Sequence, residues 1–150
     1  MSARDRFEPA HPDYVQQVLQ GTFAMPIVRF LGVQPLSIEP GRVELVLPYK
    51  DELSWRPGHF QGAAVSAAGY YAATASLNTL LPSGIVGMSL DHTIKYLAAA
   101  EGDKLIARGR AVSPGRSIGV AASDVFVVKD GRERLCATLM VTTRNTERRG

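Results

Sequence analysis

The chain has a single cysteine, Cys136, among its 150 residues, and this excludes an intrachain disulfide framework and a cysteine-rich metal site. Its three histidines, His11, His59 and His92, lack the i, i+4 spacing of a zincin-type helix, so we expect no metal. No apolar run reaches the roughly 20 residues that cross a bilayer. The charged, proline-broken N-terminus also lacks the apolar region of a signal peptide. These absences predict a cytoplasmic protein with no membrane partner.

The chain also has only a small net charge. Seventeen Lys and Arg against 14 Asp and Glu leave a net charge of +3, and aromatic residues make up only 7%. Because no basic stripe interleaved with aromatic residues is present, we expect no nucleic-acid partner. The length and the hydrophobic fraction of 45% fit one globular domain. We predict a single domain over 1–150, with flexible tails at 1–10 and 144–150.

The first third of the chain alternates between helical and extended patterns. An apolar stripe predicts a helix over 11–20 that ends at Gly21, and a second short helix over 23–31 ends at Gly32. The turn tripeptide Glu39-Pro40-Gly41 then separates two extended runs and predicts a hairpin. The two runs and the loop that follows them are 33–38, 42–47 and 48–60.

The segment 61–80 is almost wholly small or apolar, and its length favours a helix over a strand. A helix that is apolar on nearly every side is surrounded by protein, so we expect a central helix. Four extended segments follow, separated by turn signals, and short connections favour antiparallel neighbours. They predict a four-stranded meander, and the whole is an α+β fold with a sheet curled around the helix. The four segments are 85–97, 104–112, 118–128 and 134–143.

Residues 58–73, GHFQGAAVSAAGYYAA, are similar to a helix start of the form Gly-x-x-His-Gly-Gly that is followed by an Asp. Residues 88–117, MSLDHTIKYLAAAEGDKLIARGRAVSPGRS, are similar to a strand, a corner, a Gly-Asp turn and a Gly-Arg turn in that order. With these motifs the chain resembles the PaaI-like (phenylacetate-type) hotdog thioesterases. The resemblance spans roughly 30–143 and implies a hotdog fold, an acyl-CoA thioesterase activity, and a homodimer or dimer of dimers. It implies no separate cofactor, because coenzyme A is part of the substrate.

The same resemblance assigns the oxyanion-hole donor to Gly62. The first N–H groups of a helix lack internal partners and favour negative charge, which agrees with this role. Alternatively, Gly62 only allows a tight entry into the helix. Gln61 stands where the family has His, Ala63 replaces the second Gly, and Tyr70 occupies the Asp position.

These replacements remove the usual catalytic carboxylate. An amide is no base and a phenol is protonated at neutral pH, so another arrangement must activate water. Ser89 matches a serine that orients the attacking water in some members, and Asp91 is expected on the same strand face. Asp91, Gln61 and Tyr70 could jointly hold a water; the alternative for Asp91 is a surface or ion-paired residue. His92 is expected on the opposite face.

Arg116, at the Gly-Arg turn with Ser117, is expected to contact coenzyme A phosphates, because a guanidinium donates two parallel hydrogen bonds. Arg108 and Arg110 are further candidates, or residues of a solvated strand edge. His59 and Ala63, near the helix start, are expected to meet substrate.

The main hypothesis is therefore a thioesterase that uses a helix-start oxyanion hole and an activated water. The alternative is a non-catalytic hotdog protein that binds acyl-CoA or another small ligand. A hotdog dehydratase is disfavoured, because such enzymes usually need a His with a carboxylate partner.

Overall fold

The computed structural model describes residues 6–148, which form short N-terminal helices, one long helix and an antiparallel sheet. The helices are α1 (Tyr14–Val18), α2 (Pro26–Leu31) and α3 (Gly62–Asn78). The strands are β1 (Gln34–Glu39), β2 (Arg42–Pro48), β3 (Ser54–Arg56), β4 (His59–Phe60), β5 (Ile85–Tyr96), β6 (Lys104–Pro114), β7 (Ile118–Lys129) and β8 (Arg132–Glu147). None of the helices in this part of the chain combines the length and the apolar character needed to cross a bilayer.

The N-terminal segment confirms one predicted helix end and corrects the other. α2 has Pro26 at its first position, where the missing N–H costs little, and ends at Gly32 with a φ of 88°. Gly21 does not end the first helix as predicted. Instead it lies inside a π-helical turn, Leu19–Phe23, that follows α1 directly and buries Phe23.

The order of strands in the sheet is β1-β2-β6-β7-β8-β5, and every neighbouring pair is antiparallel. The predicted meander is therefore correct for β6, β7 and β8 but wrong for β5, which pairs with β8 at the sheet edge. The connection 97–103 is long enough for this crossing. Seven extended residues span up to about 23 Å, more than three strand spacings of about 4.8 Å.

Two further boundaries differ from the sequence prediction. The segment 48–60, expected as a loop, contains the short ribbon of β3 and β4. β8 continues to Glu147, and Asn145 pairs with Gly87 of β5, so the predicted tail at 144–150 begins too early. Residues 1–5 and 149–150 of the two predicted tails lie outside the described residues.

The long helix α3 packs directly against the sheet, as predicted for a central helix. Gly109 of β6 faces the backbone of α3 so closely that a Cβ there would collide with the Ala72 carbonyl. On the next strand, the Ser123 hydroxyl donates a 2.7 Å hydrogen bond to the Gly69 carbonyl. Small residues on both elements therefore permit backbone-level contact, which fixes the position of the helix over the sheet.

Candidate active site

The N-terminus of α3 is capped by the residue that precedes it. The Gln61 side-chain oxygen accepts a hydrogen bond from the Ala63 N–H, and the Gln61 carbonyl accepts from the N–H groups of Ala64 and Val65. Within residues 6–148, no hydrogen bond uses the Gly62 N–H. Gly62 therefore keeps a backbone donor at the positive end of the helix dipole, whereas Gln61 and Ala63 satisfy each other.

Tyr96, at the end of β5, lies against this helix start. Its hydroxyl donates a 2.9 Å hydrogen bond to the Gly62 carbonyl, and a Cβ on Gly62 would lie 3.3 Å from the same hydroxyl. The Tyr96 side chain is still 54% exposed. Sequence reasoning missed this residue, although alternation along the strand from Ile94, which packs on the core, would have placed it on the helix-facing side.

Two turns further along α3, the structure brings together two of the predicted site residues. The hydroxyl oxygens of Tyr70 and Ser89 lie 2.6 Å apart, so one donates to the other. The Tyr71 ring meets the Tyr70 ring edge-on at 5.1 Å. Burial, with a smaller contribution from Tyr70, raises the pKa of Tyr71. The Tyr70–Ser89 pair therefore sits between α3 and the edge strand β5.

The prediction that Asp91 shares a strand face with Ser89 is wrong, because a β-bulge lies between them. Ser89 pairs with Thr143 and Asp91 with Thr142, so Leu90 is an extra residue. Because Thr142 and Thr143 are consecutive in β8, their partners Asp91 and Ser89 lie on opposite faces. Asp91 therefore lies on the outer face, away from α3.

The bulge has the opposite effect on His92, which was expected to face away from the site. His92 pairs with Val141, which is fully buried on the side of the sheet that faces α3. Its ring centroid lies 5.5 Å from that of Tyr70. Three groups that can exchange protons, those of Tyr70, Ser89 and His92, therefore form one cluster.

His59, a predicted substrate-binding residue, is held by protein groups on both ring nitrogens. Its Nδ1 lies 3.0 Å from the Pro57 carbonyl, which can only accept, so Nδ1 carries a proton. Its Nε2 lies 2.9 Å from the Arg56 guanidinium and 3.7 Å from the Glu101 carboxylate. A hydrogen bond from Lys129 lowers the pKa of that carboxyl. His59 is thus part of a polar network beside the β3–β4 ribbon.

Arg116 and Ser117 lie in the turn between β6 and β7, both exposed. Arg116 lines a cavity of about 140 Å³ together with Leu77, in the last turn of α3, and Leu80, just beyond it. Gly62 starts that helix, and its 17 residues are about 25 Å long at 1.5 Å per residue. Within one chain, Arg116 and Gly62 therefore do not share a site.

The other two arginines pair with carboxylates and belong to β6, which lies inside the sheet and is not the solvated strand edge of their alternative interpretation. Arg108 makes two hydrogen bonds to Glu133, at 2.7 and 2.8 Å, and one to Glu44 at 3.2 Å. The hydrogen bonds to Glu133 raise the pKa of the Arg108 guanidinium. Arg110 lies 3.9 Å from Asp124. These side chains stabilise the surface of the sheet.

Gly62 and Tyr70 are also far apart within the chain. They are eight residues apart on α3, which is about 12 Å along the helix axis. The Tyr70–Ser89 pair lies beside the edge strand β5, where Met88 and Leu90 are each 58% exposed. The two halves of the predicted site are thus separated, and the second half borders an open apolar edge.

Comparisons with known proteins find likenesses in structure. No protein-family model matches the chain, and a search of curated proteins gives no significant match. A thioesterase family protein from Silicibacter pomeroyi has a TM-score of 0.86 and 28% identity, covering 89% of this chain and 98% of that one. A Haemophilus influenzae thioesterase has a TM-score of 0.75 and 17% identity, covering 95% and 94%. A phenylacetic acid degradation-related protein from Ralstonia eutropha has a TM-score of 0.73 and 22% identity, covering 87% and 98%.

Proposed function

We propose that this chain, which has the hotdog fold of the thioesterase superfamily, hydrolyses the thioester of an acyl-CoA. Thioesterases among its structural neighbours support a hydrolase at the level of the superfamily. The observation that carries the proposal is the Gly62 N–H, which is unbonded within the described chain at the start of α3. In this proposal the thioester carbonyl accepts a hydrogen bond from that N–H, and the helix dipole stabilises the negative charge that develops on oxygen.

The hydroxyls of Tyr70 and Ser89 hold the attacking water in this proposal. Their 2.6 Å hydrogen bond leaves lone pairs and one proton of the pair to bind that water. The water attacks the carbonyl carbon, the carbon–sulfur bond breaks, and coenzyme A leaves as its thiol. Arg116 and Ser117 contact the phosphates of coenzyme A, which is part of the substrate, so the reaction uses no separate cofactor.

The separation of the two halves within one chain supports a site that is shared between two copies. Gly62 and Tyr70 lie about 12 Å apart along the axis of α3, so in this proposal the carbonyl bound to the Gly62 N–H meets a water held by the Tyr70–Ser89 pair of the other copy. Pairing of β5 with β5 of a second copy would cover the open edge and its apolar residues. We therefore propose a homodimer, alone or as half of a dimer of dimers, in which Gly62 of one copy faces the hydroxyl pair of the other.

A non-catalytic protein that binds acyl-CoA or another small ligand is the second candidate. The observation in its favour is the absence of any Asp or Glu from Gln61 to Leu81, where the resemblance leads one to expect a carboxylate. Such a protein would use the Gly62 N–H to bind a carbonyl without cleaving the thioester.

The decisive experiment compares Gly62→Pro with Gly62→Ala in an acyl-CoA hydrolysis assay that detects the released thiol. Proline removes the N–H and suits this place, because Gly62 is the first residue of α3 and Gln61 is extended at φ −72°, ψ 145°. We expect Gly62→Pro to lower kcat by about 100-fold or more, as for loss of one oxyanion donor. Gly62→Ala keeps the N–H, so its kcat should fall much less.

The assay uses a panel of acyl-CoA substrates that runs from acetyl-CoA to palmitoyl-CoA and includes phenylacetyl-CoA. Equal turnover in the wild type and Gly62→Pro would contradict the oxyanion role. Thermal stabilisation by acyl-CoA without any turnover would support the binding protein instead.

A further inference from the structure

We infer that His92 is the general base that activates water in this site, an inference that rests on the proposed thioester hydrolysis. The resemblance leads one to expect a carboxylate at position 70, and Tyr70 stands there instead. The structure places an imidazole directly opposite that position, on the strand that α3 faces.

The register of β5 carries the placement of His92. Its partner Val141 and the Ser89 partner Thr143 lie two residues apart in β8, and both are almost fully buried under α3. Residues directly opposite each other in an antiparallel pair share a face, so His92 and Ser89 point to the same side. Without the extra residue Leu90, strict alternation would turn one of them to the outer face.

The groups that surround His92 leave it as the proton acceptor of the cluster. From α3 it meets Tyr70, with Tyr71 behind that ring. From β8 it meets apolar Val141, and Asp91, its neighbour along β5, lies on the outer face. A phenol and an alcohol are protonated at neutral pH, whereas an imidazole exchanges its proton in that range. Within one chain His92 is exposed, on the side of β5 that faces α3, so the core does not enclose its ring.

The proposed step is balanced in atoms and electrons. Neutral His92 takes one proton from the water held by Tyr70 and Ser89 while the water oxygen forms a bond to the thioester carbonyl carbon. The tetrahedral intermediate then collapses, the carbon–sulfur bond breaks, and the electron pair leaves on sulfur. The imidazolium of His92 gives its proton to that thiolate, so the products are the carboxylic acid and the thiol. No oxidant, reductant or second substrate is needed.

The test uses the full-length protein, the acyl-CoA panel described above, and the variants His92→Gln, His92→Ala and His11→Gln. His11→Gln is the matched control, because it also removes an imidazole. His11 lies in the N-terminal segment, where its ring is hydrogen-bonded to Gln17. We expect His92→Gln to lower kcat by about 100-fold with little change in KM, as for loss of a general base. The pH–rate profile of the wild type should have an acid limb that disappears in His92→Gln.

Chemical rescue separates proton transfer from a structural role. Added imidazole should raise the rate of His92→Ala at least tenfold, and it should leave the rate of His11→Gln unchanged. Melting temperature and gel filtration check that each variant is folded and has the wild-type size.

The outcomes separate this inference from the proposed function. A wild-type rate in His92→Gln, or a loss in His92→Ala that imidazole does not rescue, would overturn the role of His92 and leave the thioesterase standing. A loss in Asp91→Asn with full activity in His92→Gln would transfer the role to Asp91. Absence of turnover in the wild type with every substrate would overturn the proposed function and the role of His92 together.

Discussion

The hydroxyl of Tyr96 donates a 2.9 Å hydrogen bond to the carbonyl oxygen of Gly62 and so ties the end of β5 to the start of α3. The two residues are 34 positions apart in the sequence, at the first residue of α3 and the last residue of β5. The bond orients the residue whose N–H is the proposed oxyanion donor. Because β5 is also an open edge of the sheet, the proposed dimer contact and the geometry of the helix start would be linked through this strand.

Removal of the Tyr96 hydroxyl should affect catalysis more than stability. Tyr96→Phe keeps the ring against Gly62 but deletes a half-exposed hydrogen bond, which is worth about 0.5 kcal/mol of unfolding free energy at such a position. We expect kcat to fall severalfold in the acyl-CoA assay with a small change in the urea midpoint. Tyr14→Phe, a hydroxyl removed on α1, is the control, and an equal kcat in both variants would contradict an orienting role.

A carboxylate restored on α3 should raise thioesterase activity. In Tyr70→Asp combined with Gln61→His, the new carboxylate replaces a phenol that is bonded to Ser89 at 2.6 Å, and Ser89 can then help it to hold water. We expect kcat to rise by about tenfold or more for at least one acyl-CoA. No gain with any substrate in a folded dimer would show that the motif match along the helix is shifted.

Arg116 and Arg108 should differ in their effect on substrate binding. Arg116→Ala should raise KM for acyl-CoA about tenfold, since a charge-assisted hydrogen bond to phosphate contributes on the order of 1.4 kcal/mol or more. Arg108 is bonded to Glu133 and Glu44, so Arg108→Ala should leave KM unchanged and cost at most about 1 kcal/mol of stability. An N-acetylcysteamine thioester, which has no phosphate, should not distinguish wild type from Arg116→Ala; if it does, phosphate contact is not the cause.

Cys136 should be unreactive in the folded protein. It is 1% exposed, and burial raises the pKa of its thiol to about 11. A thiol reagent at pH 8 should therefore label it only in denaturant, so it does not interfere with the hydrolysis assay. Rapid labelling of the native protein would contradict the burial of this side chain.

The same thiol gives a pH dependence of stability. Between about pH 9 and 11 the unfolded chain loses the thiol proton while the folded chain keeps it, so ionisation stabilises the unfolded state relative to the folded state. Stability is therefore complete below pH 9 and falls by on the order of 3 kcal/mol as the pH approaches 11. The free energies of unfolding of the wild type and Cys136→Ala, measured with urea, should diverge in this pH range. A parallel pH dependence of the two would contradict the raised pKa of the thiol.

Much of the architecture follows from patterns that lie within single elements. The predicted helix 61–80 is Gly62–Asn78, and the turn Glu39-Pro40-Gly41 joins β1 and β2 with only small shifts at their ends. These elements are local: small apolar residues over a helical length and a turn between alternating runs both act on near neighbours.

The misses concern pairings that no single segment determines. The place of β5 beside β8 depends on which strands β6 contacts on its other side, and β2 occupies that side. The extra residue Leu90 carries no turn signal such as Gly or Pro, so strict alternation assigned Asp91 and His92 to the wrong faces. Tyr70 and Ser89, by contrast, came from motif positions that do not depend on strand register.

The close approach of Gly109 to Ala72 limits how this scaffold can acquire new substrates. At this point the main chain of the helix rests on the sheet with no side chain between them, which restricts sliding or rolling of the helix to widen a pocket. Adaptation to a longer or bulkier acyl group must instead come from exchange of individual side chains at the rim or from a different seating of the second copy.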